Sequence, residues 1–391
     1  MTARLLTIAT ALGLITGCAA DAPAPHVQEI ASPAGPRSQG PNLAAGPDGA
    51  VYLSWIEIPD SAPPVLKFAV KTVEGWTQPR TIVQTEDLIV NYADFPSLLV
   101  YGDGMLAAHW MAAAPDGEGY HVQVAWSRDG GETWSKPVVP HTDRTAAEHG
   151  FVSMAPHPDG GFSVIWLDGR KLDPVAMMAA SVGPDGALGA ETRVDDRVCE
   201  CCQTSAAAVP GGVIAAYRDR SDAEVRDISI VRFDGARWSE PRTVFADKWE
   251  IYACPVNGPA VAAQGKNVAV AWFTAASDKP RVHVALSSNG GETFGAPVQV
   301  DGGNPSGRVD VAVLESGSAM VSWLERTNEN GEVRARQVDA NGSLLPFVVV
   351  GPASPATSSG FPRMERSGNS FIFAWIDAQS ERVRTAVLQT H

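Results

Sequence analysis

The sequence predicts an all-β chain folded as a seven-bladed β-propeller. Three observations carry that expectation. An apolar strand ending in an aromatic residue recurs seven times, one glycine-rich turn occurs twice in near-identical form, and no long amphipathic helix interrupts them. In order, the strands are VYLSW (Trp55), LAAHW (Trp110), FSVIW (Trp166), VIAAY (Tyr217), VAVAW (Trp272), AMVSW (Trp323) and FIFAW (Trp375), and consecutive aromatics lie 51–56 residues apart. A period of about fifty residues with four short strands per unit is the spacing of propeller blades.

Each unit opens with an alternating strand closed by a turn: LAAGPDG, SLLVYGDG, SMAPHPDGG, AAAVPGG, AVAAQGKN, VAVLESG and RMERSGN. A third strand follows the aromatic one, as in HVQVAWS and RVHVALS. The last unit stops after RVRTAVL and lacks an outer strand, while HVQEIAS (His26–Ser32) precedes the first unit without a partner. That segment is expected to complete the last blade, which joins the termini and removes open sheet edges. Six blades is the competing count, with one weak unit then being an insertion.

The repeated turn reads SRDGGETWS at Ser127–Ser135 and SSNGGETFG at Ser287–Gly295. Asp129 and Asn289 can accept hydrogen bonds from N–H groups of their own turns, and the glycine pairs supply positive φ. Thr133–Trp134 and Thr293–Phe294 then start an outer strand whose ring can pack between sheets. These turns resemble the Asp-boxes, or BNR repeats, of sialidases and related propellers. In that family the turn is structural and remote from the active site. The resemblance further implies three arginines on a substrate carboxylate, a tyrosine nucleophile activated by a glutamate, and an aspartate acid. The family's R-I-P motif near the first blade is absent, since Pro36–Arg37 and Pro362–Arg363 have other neighbours, and sialidases have six blades.

Of 391 residues, 45% are hydrophobic and 19% charged, enough apolar material for a large core. The formal charge of −14 speaks against nucleic acid as a partner. Arg4, the apolar run Leu5–Ile15 and small residues before Cys18 read as an export signal over residues 1–17. The ending LITGC resembles the bacterial lipobox, which implies lipidation at Cys18 and a tether over 18–25. Residues 26–391 then form one propeller domain. The expected product is a monomer, exported and held by lipid on the cell envelope, at the outer membrane or the periplasmic face.

Propeller topology places the loops after second strands, and the connections between blades, on one face, here called the top. Those loops carry Asp168, Arg170, Arg218, Asp219, Arg220, Arg226, Glu325 and Arg326. The connections carry Asn91, Tyr92, Asp94, His141, Asp143, His149, Tyr252, Asn257, Arg308, Asp310 and Arg363. Arg170, Arg218, Arg226, Arg308 and Arg363, with Asn257, are expected to line a pocket for an anionic small molecule or glycan, because guanidinium forks match carboxylates and sulfates. Asp94, Asp168 and Asp219 are candidate acids, and Tyr92 and Tyr252 candidate nucleophiles. His109 and His121 sit within strand patterns and read as structural.

Cys199, Cys201, Cys202 and Cys254 occupy the connections entering blades four and five. Export favours disulfides among them, and the spacing leaves all three pairings open. The alternative is a thiolate site for a soft metal, copper(I) or zinc, with His149. No other cofactor is implied. Three functions follow: anionic-ligand or glycan binding, an exo-sialidase-type hydrolase, and metal handling at the cysteines.

Overall fold

The computed structural model describes residues 25–390 except 116, 172, 329, 357, 358 and 378. The expected signal, Cys18 and all of the tether but its last residue lie outside the described residues. Seven antiparallel sheets follow one another along the chain. Their innermost strands are Ser38–Ala45, Ser97–Tyr101, His149–Pro156, Ser205–Val209, Ala260–Gln264, Pro305–Val313 and Arg363–Ser367. Each touches the next, and the last touches the first, so the sheets close into a seven-bladed ring. Blade two is the irregular one: its outer segment is held by two hydrogen bonds exchanged by Val124 and Val138 at 2.8 and 2.9 Å and by Ser135 N–H donating to Trp126 O at 2.8 Å.

The recurring aromatics explain why the ring holds. Every one lies on a second strand and none is more than 3% exposed. Each packs against the preceding blade: Trp110 against Leu66 and Phe68, Trp166 against Val122 and Val124, Trp323 against Ala269 and Ala271. Trp55 closes the circle by packing with Ile372 and Ala374 of blade seven. Burying such rings stabilises each seam by roughly 2–3 kcal/mol.

A buried indole needs a partner for its N–H. In three blades the partner is an acid two residues on, which alternation puts on the same side of the strand. Trp55 donates to Glu57 at 2.8 Å, Trp166 to Asp168 at 3.0 Å and Trp323 to Glu325 at 2.6 Å. Glu57 and Glu325 also accept backbone N–H groups of the connections beside them, Gly35 and Asn304, each at 2.9 Å.

His26–Ile30 is the outer strand of the last blade, paired antiparallel with Arg382–Gln389 with Val27 opposite Leu388. The expected joining of the termini is therefore present, and Arg384 pairs across it with Glu29.

The two repeated turns are built alike. The Ser127 hydroxyl accepts from Gly131 N–H at 2.8 Å, and Asp129 accepts from Thr133 N–H at 2.9 Å and Thr133 hydroxyl at 2.6 Å. Ser287, Asn289, Gly291 and Thr293 repeat the pattern. A Cβ on Gly131 would fall 2.4 Å from Phe68 of blade one, and one on Gly291 would fall 2.5 Å from Ile214 of blade four. The turn thus presses its backbone onto the neighbouring blade, as Trp134 does edge-on to Phe68.

Gly130 and Gly131 both have positive φ, but a Cβ on Gly130 meets nothing within 4 Å. Gly130→Ala should cost only backbone strain, roughly 1 kcal/mol, and Gly131→Ala about 1–3 kcal/mol more from the clash. Urea midpoints of the two variants check this. Equal losses would mean that the turn does not bear on blade one.

Candidate functional site

The innermost strands enclose a channel of about 290 Å³ whose lining includes Asp94, Gln203, Asp310, Arg363 and Glu365. Gln203 bridges the connections entering blades two and five, donating to Ala93 O at 2.7 Å and accepting from Gly258 N–H at 3.2 Å. Thr204 beside it holds Phe151 O at 2.7 Å. The mouth is thereby stitched by two adjacent side chains entering blade four, which reach the backbone of blades two, three and five.

Three carboxyl groups are held in this low-dielectric interior. Burial raises Asp94 to about 7 against its hydrogen bond from Phe151 N–H at 2.7 Å. Burial also raises Glu365 to about 7, despite the Arg366 N–H that it accepts, and raises Asp310 despite Arg363. Asp94 is in the structure a brace for blade three: its other oxygen abuts Gly150, where a Cβ would lie 1.8 Å away.

The five expected arginines share a face but not a pocket. Arg170 is clamped by Asp168 at 2.6 Å and Glu191 at 2.9 Å. Arg218 is 1% exposed and donates to the carbonyls of Arg226 at 2.6 Å, Phe273 at 2.7 Å and Asn257 at 2.9 Å, while stacking on Trp249. Arg226, also buried, pairs with Glu200 and Glu224 at 3.0 Å each. These three are internal struts, because a guanidinium taken out of water requires partners at its N–H groups.

Arg308 and Arg363 stand apart from them at blades six and seven. Arg308 donates to Ser359 Oγ at 3.1 Å and lies over Phe361. Burial lowers it to about 10, and Arg326 lowers it further while Tyr92 opposes the shift. Arg326 is exposed, donates Nε–H to Ser306 Oγ at 2.7 Å, and forms no ion pair among the described residues. Arg363 borders the channel, 3.3 Å from Asp310 and facing Phe95. Asn257 is a joint, not a lining group: its Oδ1 accepts Arg308 N–H at 2.8 Å and its amide reaches Pro255 O and Ser306 O.

The acid and tyrosine candidates separate likewise. Asp168 is consumed by Trp166 and Arg170. Asp219 accepts Arg220 N–H at 2.7 Å and the Ser229 hydroxyl at 3.0 Å. Tyr252 is 78% exposed, and its hydrogen bond to Glu250 raises the phenol, opposite to the shift of an activated nucleophile. Tyr92 lies near enough to Arg308 to act on its charge.

The cysteines form two disulfides, Cys199–Cys202 and Cys201–Cys254, the second joining the connections into blades four and five. Paired sulfurs offer no thiolate to a metal. A different donor cluster lies between blades two and three. His121, His141 and His149 present ring nitrogens within 4.8 Å of one another, and none is more than 8% exposed. Rings of His141 and His149 stack 3.8 Å apart at 6°. His121, read from its strand pattern as structural, belongs to this cluster, because the third strand of blade two starts where the next connection passes. Its alternation with Tyr120 and Val122 gave no sign of that.

No protein-family model matches the chain, and no curated protein matches it in sequence. Solved structures do. A PL25 ulvan lyase bound to -[GlcA(1-4)Rha3S]- is 11% identical over 91% of this chain and 95% of its own, with a TM-score of 0.61. A protein of unknown function from Dyadobacter fermentans DSM 18053 is 16% identical over 93% and 99%, with a TM-score of 0.54. The Penicillium chrysogenum α-L-arabinanase complexed with arabinobiose is 14% identical over 94% and 99%, with a TM-score of 0.52. What this chain shares with them is the propeller fold.

Glu365 yields a pH prediction. The folded state keeps its proton up to about 7, whereas an unfolded glutamate loses it at 4.5. Between those values the folded state binds more protons, so this group's contribution to stability falls as pH rises through the window. Glu365→Gln should therefore melt progressively higher relative to the parent from about pH 5 to about pH 8. A difference that stays flat across that range would contradict the burial.

Proposed function

We propose that the protein is an exported, lipid-anchored propeller that binds an anionic glycan on its top face at blades six and seven. Arg308, Arg326 and Arg363 are the recognising groups. The observation that carries this reading is the exposed Arg326 guanidinium, which donates to Ser306 Oγ at 2.7 Å and forms no ion pair among the described residues. An exposed guanidinium with no carboxylate partner is relieved by an anion, and guanidinium forks suit carboxylate and sulfate. The bound glycan of the ulvan lyase carries both, which supports the same class of ligand on this scaffold. Recognition of the turns at Ser127 and Ser287 as Asp-boxes agrees with such a scaffold and carries no activity of its own.

A sialidase-type hydrolase is the second reading, favoured by Tyr92 beside Arg308. Isothermal titration with an oligogalacturonate, and with a neutral arabino-oligosaccharide as control, tests the first. Binding to the uronate alone is expected, weakened about tenfold or more in Arg326→Ala, the loss of one charged hydrogen-bonding group. Equal binding of both sugars, or no effect of the variant, would overturn it. Turnover of a fluorogenic sialoside that disappears in Tyr92→Phe would favour the hydrolase instead.

A further inference from the structure

We infer that His121, His141 and His149, with Asp143, form a binding site for one first-row divalent transition-metal ion of the zinc class, between blades two and three. The site is independent of the arginines and of the cysteines, and sits where three segments meet. His121 comes from the third strand of blade two (Tyr120–Ser127), His141 from the connection that follows, and His149 opens the innermost strand of blade three.

The hydrogen bonding fixes which nitrogens face one another. His141 Nδ1 lies 2.8 Å from the carbonyl of Asp143, an acceptor only, and 3.4 Å from Arg144 Nη1; the shorter contact assigns the proton to Nδ1. The lone pair is then on Nε2, which is buried and has no hydrogen-bond partner. A ligating imidazole is held in the same way, with one ring N–H donated to a carbonyl or carboxylate and the other nitrogen left for the ion. His149 differs, in that neither of its ring nitrogens has a hydrogen-bond partner. Its Nε2 lies 3.2 Å from Asp143 Oδ2 and 3.6 Å from Asp168 Oδ2.

The rings of His141 and His149 lie face to face with buried nitrogens that no hydrogen bond reaches. That is a poor arrangement for packing alone, because each unmet polar atom carries a desolvation penalty. One cation meets them together. Around an ion about 2.1 Å from each nitrogen, tetrahedral donors stand about 3.4 Å apart. From 4.8 Å that separation is reached by turning the rings about χ2, a soft torsion.

The donor set selects the ion. Imidazole with one carboxylate suits zinc, copper(II) and nickel, whereas calcium and magnesium take oxygen ligands. Asp143 is the carboxylate placed to complete the shell, and its side chain, 12% exposed, leaves a way in from the top face. Asp168, held by Trp166 and Arg170, is fixed behind His149 as a positioning residue.

The test uses the mature, disulfide-intact chain carrying no polyhistidine tag. Titration with zinc sulfate should give one ion per chain, with affinity reduced at least a hundredfold in His141→Asn and His149→Asn and unchanged in His109→Asn, a buried histidine outside the cluster. Cobalt(II) on the parent protein gives a reading that needs no variant. Visible ligand-field bands without a thiolate charge-transfer band are expected from imidazole and carboxylate donors. No stoichiometric zinc or cobalt binding would overturn the site. So would equal affinity in the two variants, or a thiolate band, which would move the ion to the cysteines.

Discussion

The structure depends on one repeated contact: a large aromatic on the second strand of each blade, wedged into the blade before it. Because the ring is closed, every sheet both supplies a wedge and receives one, and no blade owns a complete core. The seven apolar clusters lie on the seven seams, each mixing residues of two blades. The first and last seams are no different, since Trp55 packs on blade seven and His26–Ile30 completes that blade from outside.

That constraint also decides which polar residues are available for chemistry. An indole driven into a seam brings its N–H with it, and the acid two residues on is recruited to meet it. Asp168 and Glu325 are therefore part of the wedge. A guanidinium buried near the top of a seam is satisfied by carbonyls, as in Arg218, or by glutamates, as in Arg226. The seams leave two polar features unabsorbed: the exposed Arg326 guanidinium, and the orphaned ring nitrogens of His141 and His149.

Much of the fold was legible in the sequence because blades are repetitive and the repeat is local. Aromatic spacing gave seven units, the duplicated turn gave the tight corners, and an unpartnered first strand beside a last blade short of one gave the closure. The site was less legible. Topology put Arg170, Arg218 and Arg308 on one face, but the direction of a side chain depends on partners from the next blade, such as Phe273 for Arg218. One signal was present and unread: WIE, WLD, WLE and WID at Trp55, Trp166, Trp323 and Trp375 are a repeat. In the first three the acid meets the indole N–H, whereas Trp375 donates to Pro352 O and Asp377 pairs with Arg384. The histidine cluster left no such trace. Its members are eight to twenty-eight residues apart and meet only because the connection folds back over the third strand.

Cooperativity tests the wedge most directly. If each aromatic serves two sheets, no blade is stable alone and the ring melts as a unit. Scanning calorimetry of the mature chain should then show one transition whose calorimetric and van't Hoff enthalpies agree, and Trp323→Ala should lower that transition without splitting it. Separate transitions, or a calorimetric enthalpy well above the van't Hoff value, would mean that blades unfold independently and that the seams do not hold the molecule together.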